Sequence, residues 1–120
     1  MMEEFLVVPV SGNPYVLQLE DHDDLLDQAH QIIDCRGVEF VHCGSFIMLV
    51  DDVGALDPSK PVNFLATVLY PGFESGDMIY GVAIIGKRGF YAGEPDIVGL
   101  APADLNCLLT SWSQTGVSLW

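Results

Sequence analysis

Phe5 to Val10 is a run of β-branched, aromatic and aliphatic residues, and after Ser11-Gly12-Asn13-Pro14 a second run extends from Tyr15 to Leu19. Two such runs around a Gly, Asn and Pro cluster predict a β-hairpin. Asp21 then offers an N-cap oxygen, and Asp23 and Asp24 put carboxylates where they complement the positive end of a helix. Leu25, Leu26, Ala29, Ile32 and Ile33 follow at i, i+1, i+4, i+7 and i+8, the apolar stripe of a helix buried on one side. The spacing predicts a helix over 21–34, with Gly37 ending it.

From Val38 to Cys43 the residues alternate, Val38, Phe40 and His42 against Glu39, Val41 and Cys43, as in a strand with two unlike faces. Gly44-Ser45 is a turn, and the unbroken apolar run Phe46 to Val50 predicts a strand buried on both faces. Asp51 to Pro61 reads as a loop, and Pro61 opens a short helix over Asn63 to Leu69, for which Val and Thr leave a strand as the alternative. A second loop, Pro71 to Asp77, leads into a strand over Met78 to Ile85, where Gly81 marks a bulge or a close backbone approach. Gly86-Lys87-Arg88-Gly89 then reads as a hairpin turn into Phe90-Tyr91. Ala101-Pro102-Ala103-Asp104 begins a second helix carrying Leu105, Leu108, Leu109 and Trp112 at helical spacing. The expected fold is α+β: one domain over residues 1–120, a mostly antiparallel sheet covered by two helices, with a single hydrophobic layer between them.

Charge changes the picture. The chain has 17 Asp and Glu against four Lys and Arg, a formal charge of -13, while half its residues are hydrophobic. Binding to nucleic acid or to an anionic membrane relies on Lys and Arg replacing condensed cations, so neither is an expected partner. Such a surface attracts a basic protein and also keeps an apolar chain in solution. The N-terminal Met1-Met2-Glu3-Glu4 lacks the positive segment of a secretion signal, and no apolar stretch reaches the length needed to cross a bilayer. Cys35, Cys43 and Cys107 form an odd set with no pairing pattern, which suits a reducing cytoplasm.

Reactive residue types are present, but in arrangements that do not make a site. His42 and Cys43 are neighbours on a strand and point to opposite faces, so they do not form a thiol and its base. Cys35, His42 and Cys43 lack zinc-ligand spacing, and Asp51, Asp52 and Asp57 lack the alternation and closing Glu of a calcium loop. Gly86-Lys87-Arg88-Gly89 lacks the Walker spacing. His30 falls on the polar side of the first helix and reads as solvated. The expectation is a non-enzymatic protein with no metal and no cofactor.

The first helix carries the most structured signal. At about 100° per residue, Asp23, Asp27 and Asp34 gather opposite the Leu25 and Ile32 stripe, with Asp24 beside them and Asp21 at the cap. Carboxylates one turn apart can imitate successive backbone phosphates and enter the nucleic-acid groove of a basic protein. Asp21, Asp23, Asp24, Asp27 and Asp34 are therefore the candidate partner-binding residues, although a solvated helix face has the same composition. The alternative function is a small-molecule-binding protein with a pocket near Asn63, Tyr80 and Gly81. Phe73, Phe90, Trp112 and Trp120 supply apolar surface for a homodimer.

Several segments in order, Asn13-Pro14-Tyr15-Val16, the Leu-rich helix at Asp24 to Ile33, Val38-Glu39, Phe46 to Val50 with Asp51-Asp52, Pro61-Val62-Asn63 with Ala66, Gly76-Asp77-Met78-Ile79-Tyr80-Gly81, and Asp96 with Gly99-Leu100, span most of the chain. In this the sequence resembles an uncharacterised domain-of-unknown-function family of small proteins carried by bacteriophages, plasmids and integrative elements. It departs from that pattern after the first helix, where Cys35-Arg36-Gly37 stands in place of Gly-Gly. The resemblance implies an accessory protein of a mobile element and brings no catalytic residues. Taken with the charge, it leads to an expected role as an acidic regulator that inhibits a host nucleic-acid-binding or defence enzyme.

Overall fold

A strand buried on both faces needs a cover on each, and the computed structural model supplies both covers. It describes residues 2–54, 59–71 and 76–114, with only the backbone of 113 and 114. The strands are β1 (Glu3–Val8), β2 (Tyr15–Leu19), β3 (Val38–Cys43), β4 (Phe46–Asp51), β5 (Ala83–Tyr91) and β6 (Glu94–Val98). The helices are α1 (Leu25–Ile33), α2 (Phe64–Leu69) and α3 (Pro102–Gln114). The strands form one antiparallel sheet in the order β2-β1-β5-β4-β3, and β6 pairs with the far half of β5. The fold is α+β.

Burial divides the core into two layers, not the single layer expected. On one face α1 places Leu25, Ala29 and Ile33 against Phe5, Val7, Leu49 and Ile84. On the other, α2 and α3 close over Leu6, Val8, Met48, Val50 and Ile85. A fully buried side chain of this size contributes about 1.5–3 kcal/mol, so the doubly covered strands β1, β4 and β5 dominate stability. The reason for the difference is α2, which joins α3 through a hydrogen bond from Trp112 Nε1 to the Leu65 carbonyl (2.8 Å). Trp112 is fully buried by this packing and is unavailable to a dimer interface. Phe73 and Trp120, also expected there, lie outside the described residues; Phe90 is exposed.

Local chemistry explains the boundaries. Asp21 does cap: its Oδ1 accepts from the Asp23 amide (3.0 Å), but the turn it opens is a 3-10 turn over His22–Asp24, and the α-helix begins only at Leu25. That helix ends at Asp34, which adopts the left-handed conformation at φ 57°, three residues before Gly37. Within the stripe, Leu26 is about half exposed and Ile32 only half-buried, because the short helix crosses the sheet with Leu25, Ala29 and Ile33 underneath. At α3, the Asp104 carboxylate accepts from the Ala101 amide (2.7 Å) and pairs with Lys87 of β5 (3.2 Å). The amide hydrogen bond first, and the Lys87 charge after it, hold that carboxyl below its ordinary range.

The segment around residue 86 is the largest departure. Gly86, Lys87, Arg88 and Gly89 lie inside β5 and not at a turn; the turn is Ala92-Gly93, both at positive φ (52° and 83°). The glycines are there for space. A Cβ at Gly86 would stand 2.5 Å from Ile97 Cγ1, and one at Gly89 would stand 2.6 Å from Val98 Cγ2. Upstream, Met78 and Ile79 are outside any strand, Tyr80 makes a single bridge to Val62, and Gly81 (φ 79°) turns the chain before β5 starts at Ala83.

Candidate functional site

The 3-10 turn at the start of α1 projects Asp21, Asp23 and Asp24 outward, and Asp27 follows on the first turn of the helix. All four are exposed, and so is Asp34. Among the described residues none of these five carboxylates lies in an ion pair: Lys60 pairs with Asp51, Lys87 with Asp104, and His22 with Glu3 and Asp96. The regular ladder expected from helical spacing is absent, however. Asp23 and Asp24 sit on a tighter turn and Asp34 leaves the helix in a left-handed conformation, so Asp27 alone of the five lies on α1 proper. Asp21, Asp23, Asp24 and Asp27 form one patch; Asp34 stands at the other end of a helix about 13 Å long.

Asp34 belongs to a different arrangement. Lys60 donates to the carbonyls of Ile33 and Asp34 (2.7 Å each), satisfying the open C-terminus of α1, and its ammonium lies 3.6 Å from the buried carboxylate of Asp51. His30, expected to be solvated, is half-buried and its Nδ1 is 3.2 Å from the Cys35 carbonyl, closing the same helix end.

Beside the acidic patch lies a cluster that no spacing in the sequence announces. His22, inside the 3-10 turn, has Nδ1 2.5 Å from Glu3 of β1 and Nε2 3.1 Å from Asp96 of β6. Its ring stacks on Tyr91 of β5 with centroids 3.9 Å apart. Burial pulls the imidazole pKa down, but the hydrogen bonds and charges of Glu3 and Asp96 together outweigh burial and leave it raised. The Asp23 charge, more than any other influence, raises the Tyr91 phenol, with Asp21 and Glu3 adding to it. A carboxylate at each ring nitrogen favours the doubly protonated imidazole. Its effect is structural: β1 and β6 follow one another along the same edge of β5, and His22 ties them together where they meet. Glu3 Oε2 also accepts from the Gly99 amide (2.8 Å), and the Leu100 amide donates to the Glu4 carbonyl (2.6 Å).

Next to this clamp the sheet face is open. A shallow cavity of about 520 Å³ is bounded by Phe40, His42, Ile47, Arg88, Phe90 and Ile97, and a smaller one of about 150 Å³ adjoins it beneath Leu26 and Tyr91. Phe90 is 74% exposed and Phe40 40%. His42 faces this groove while Cys43 is buried, and burial pushes the Cys43 thiol up to about 11, which leaves it protonated and unreactive at neutral pH.

Of the residues expected to form a pocket, Asn63, Tyr80 and Gly81, only Tyr80 lines one. Asn63 is fully buried and its amide is spent: Nδ2 donates to the carbonyls of Val8 and Gly81 (2.9 Å each), and Oδ1 accepts from the Ala66 amide (3.1 Å). Gly81 is buried under Lys60. Tyr80 lines a cavity of about 300 Å³ on the other side, with Glu39, Asp51, Asp52, Tyr70 and Asp77.

No family model, no curated protein and no solved structure matches this chain. Among the described residues no group of His, Cys, Asp and Glu has the arrangement of a metal site, and no helix is long and apolar enough to cross a membrane. Asp57, considered above as a calcium ligand, lies outside the described residues.

Proposed function

We propose that this protein is a non-enzymatic, acidic binding module that captures a basic surface of another protein through the patch Asp21, Asp23, Asp24 and Asp27. One observation carries the reading: these carboxylates are exposed together and, among the described residues, unpaired with any cation. A group of like charges destabilises its own turn, and a cationic partner relieves that repulsion on binding. Asp34, at the far end of α1, adds to the field without belonging to the contact. A surface that normally holds nucleic-acid phosphates is the kind of basic partner this patch suits, so inhibition of a nucleic-acid or defence enzyme fits the reading. The resemblance to proteins of phages and plasmids supports such a role, and the free thiols support a reducing cytoplasm.

Affinity capture tests this. The wild-type protein and a variant with Asn at positions 21, 23, 24 and 27 are immobilised and exposed to bacterial lysate at low and high salt. Asn retains the capping oxygen of Asp21, so the turn survives. A basic protein held by wild type, released by salt and absent from the variant is the expected result. Retention of the same protein by both would overturn the proposal.

A second reading, a small-molecule-binding protein, is favoured by the cavity at Tyr70 and Tyr80. Its carboxylates and phenol rings suit a small organic cation. A cation carried through purification and seen by native mass spectrometry would support it; its absence together with unchanged melting in millimolar amines would count against it.

A further inference from the structure

We infer that the open groove beside α1 is a docking site for a short basic segment of a partner protein, which seats one large apolar side chain between Phe40 and Phe90. The inference rests on the acidic-capture reading and names what the partner must present to it. Helix α1, at nine residues, packs on a cluster that includes Ile47 and Ile97 and stops short of Phe40 and Phe90, so the outer edges of the two isoleucines line a groove walled by the two phenylalanines. A solvated wall has no need of a phenylalanine that is 74% exposed, and an exposed aromatic beside a concave apolar floor is the anatomy of a binding hot spot.

Charge complementarity selects the occupant. The groove shares Asp96, already paired with His22, with the adjoining cavity, and that cavity reaches Asp23 of the acidic patch. Arg88, opposite Ile97 in the sheet register, sets one cation on the groove wall, so the basic residues of the segment lie on the side of the acidic patch. The segment that fits has its apolar residue between Phe40 and Phe90 and its Lys or Arg residues running toward Asp23 and the acidic patch. A second copy of this chain brings another charge of -13 to the same place and is the poorer occupant.

The test uses two fluorescent peptides of equal charge, Lys-Lys-Arg-Trp-Leu-Arg-Lys-Lys and the same sequence with Gly-Ser replacing Trp-Leu. Wild-type protein is expected to bind the first at least about ten-fold more tightly, the equivalent of seating one aromatic side chain. Phe90→Ser, which removes an exposed side chain and leaves the core alone, is expected to bring the two peptides to the same affinity while both still respond to salt. Methyl resonances of Ile47 and Ile97 should shift with the first peptide only. If both peptides bind wild type equally, the groove is wrong and acidic capture stands; if neither binds, both fall. Sedimentation that shows a wild-type dimer broken by Phe90→Ser would assign the groove to a second copy and likewise overturn the inference.

Discussion

His22 and Asp96 stand 74 positions apart in the chain and meet ring nitrogen to carboxylate at 3.1 Å. With Glu3 on the other nitrogen, this contact joins the N-terminal strand to the last one across the seam in the sheet edge. Glu3 and Asp96 are the carboxylates that favour the protonated ring, and Asp21 and Asp23 act on the Tyr91 phenol stacked against it.

A raised pKa in the folded state means that folding binds the His22 proton more tightly. The clamp's stabilisation is therefore complete below the unfolded value of about 6.5 and is lost as pH rises through the higher folded value. His22→Gln should lower the urea midpoint most at about pH 6, with the gap to wild type closing by about pH 9. Its loss should cost about 1–2 kcal/mol at the acidic end, the worth of two hydrogen bonds to charged groups at a partly exposed site. A gap that widens with pH would contradict the assignment.

Asn63 fixes α2 to both β1 and the start of β5, and only an amide does this. Asn63→Ala should cost about 3 kcal/mol or more in urea unfolding, since it leaves the Val8 and Gly81 carbonyls without their donor and removes the helix cap. Asn63→Asp keeps the cap oxygen but donates nothing and buries a charge. It should be at least as destabilising as Ala at pH 7, which a purely capping role does not predict.

Lys60 couples the end of α1 to Asp51. Lys60→Met should destabilise by about 2–4 kcal/mol, because it strands a carboxylate whose side chain is 3% exposed. Adding Asp51→Asn should recover part of that loss. Strictly additive effects in the double-mutant cycle would show that the pair is not coupled.

The β5–β6 hairpin gives opposite expectations at two small residues. Gly86→Ala drives a methyl into Ile97 and should cost about 2 kcal/mol or more. Ala92 holds φ at 52°, so Ala92→Asn, which tolerates that conformation and makes an Asn-Gly turn, should raise stability by about 0.5–1 kcal/mol. Thermal melting of both variants checks the register of the hairpin.

This hairpin is also where the sequence misleads. Gly86 and Gly89 flank Lys87 and Arg88 in a pattern that signals a turn, yet both glycines exist to admit the side chains of β6, a tertiary requirement invisible in the local string. Strand β6 itself carries Glu94, Pro95 and Asp96, poor strand formers that an edge position tolerates. By contrast β1, β2, β3, β4, α1 and α3 were legible because each has a periodic apolar face or an unbroken apolar run. The acidic residues were legible as a group, and their exposure follows the helical stripe. Their regular spacing was not, since a 3-10 turn and a left-handed Asp34 depend on how His22 and Lys60 are tied elsewhere. His22 gave no signal at all: residues 3, 22 and 96 share no periodicity, and only the sheet topology unites them.

The proposed capture of a basic partner by the carboxylates at 21, 23, 24 and 27 is electrostatic and therefore depends on salt. Its most direct measurement is the affinity for the Lys-Lys-Arg-Trp-Leu-Arg-Lys-Lys peptide from about 0.05 to 0.5 M salt, a range over which the Debye length shrinks from about 14 Å to 4 Å. Wild type should weaken steeply over that range, and the variant with Asn at all four positions should bind weakly throughout with a shallower dependence. Equal affinities and equal slopes for the two proteins would show that these four carboxylates do not bind the peptide.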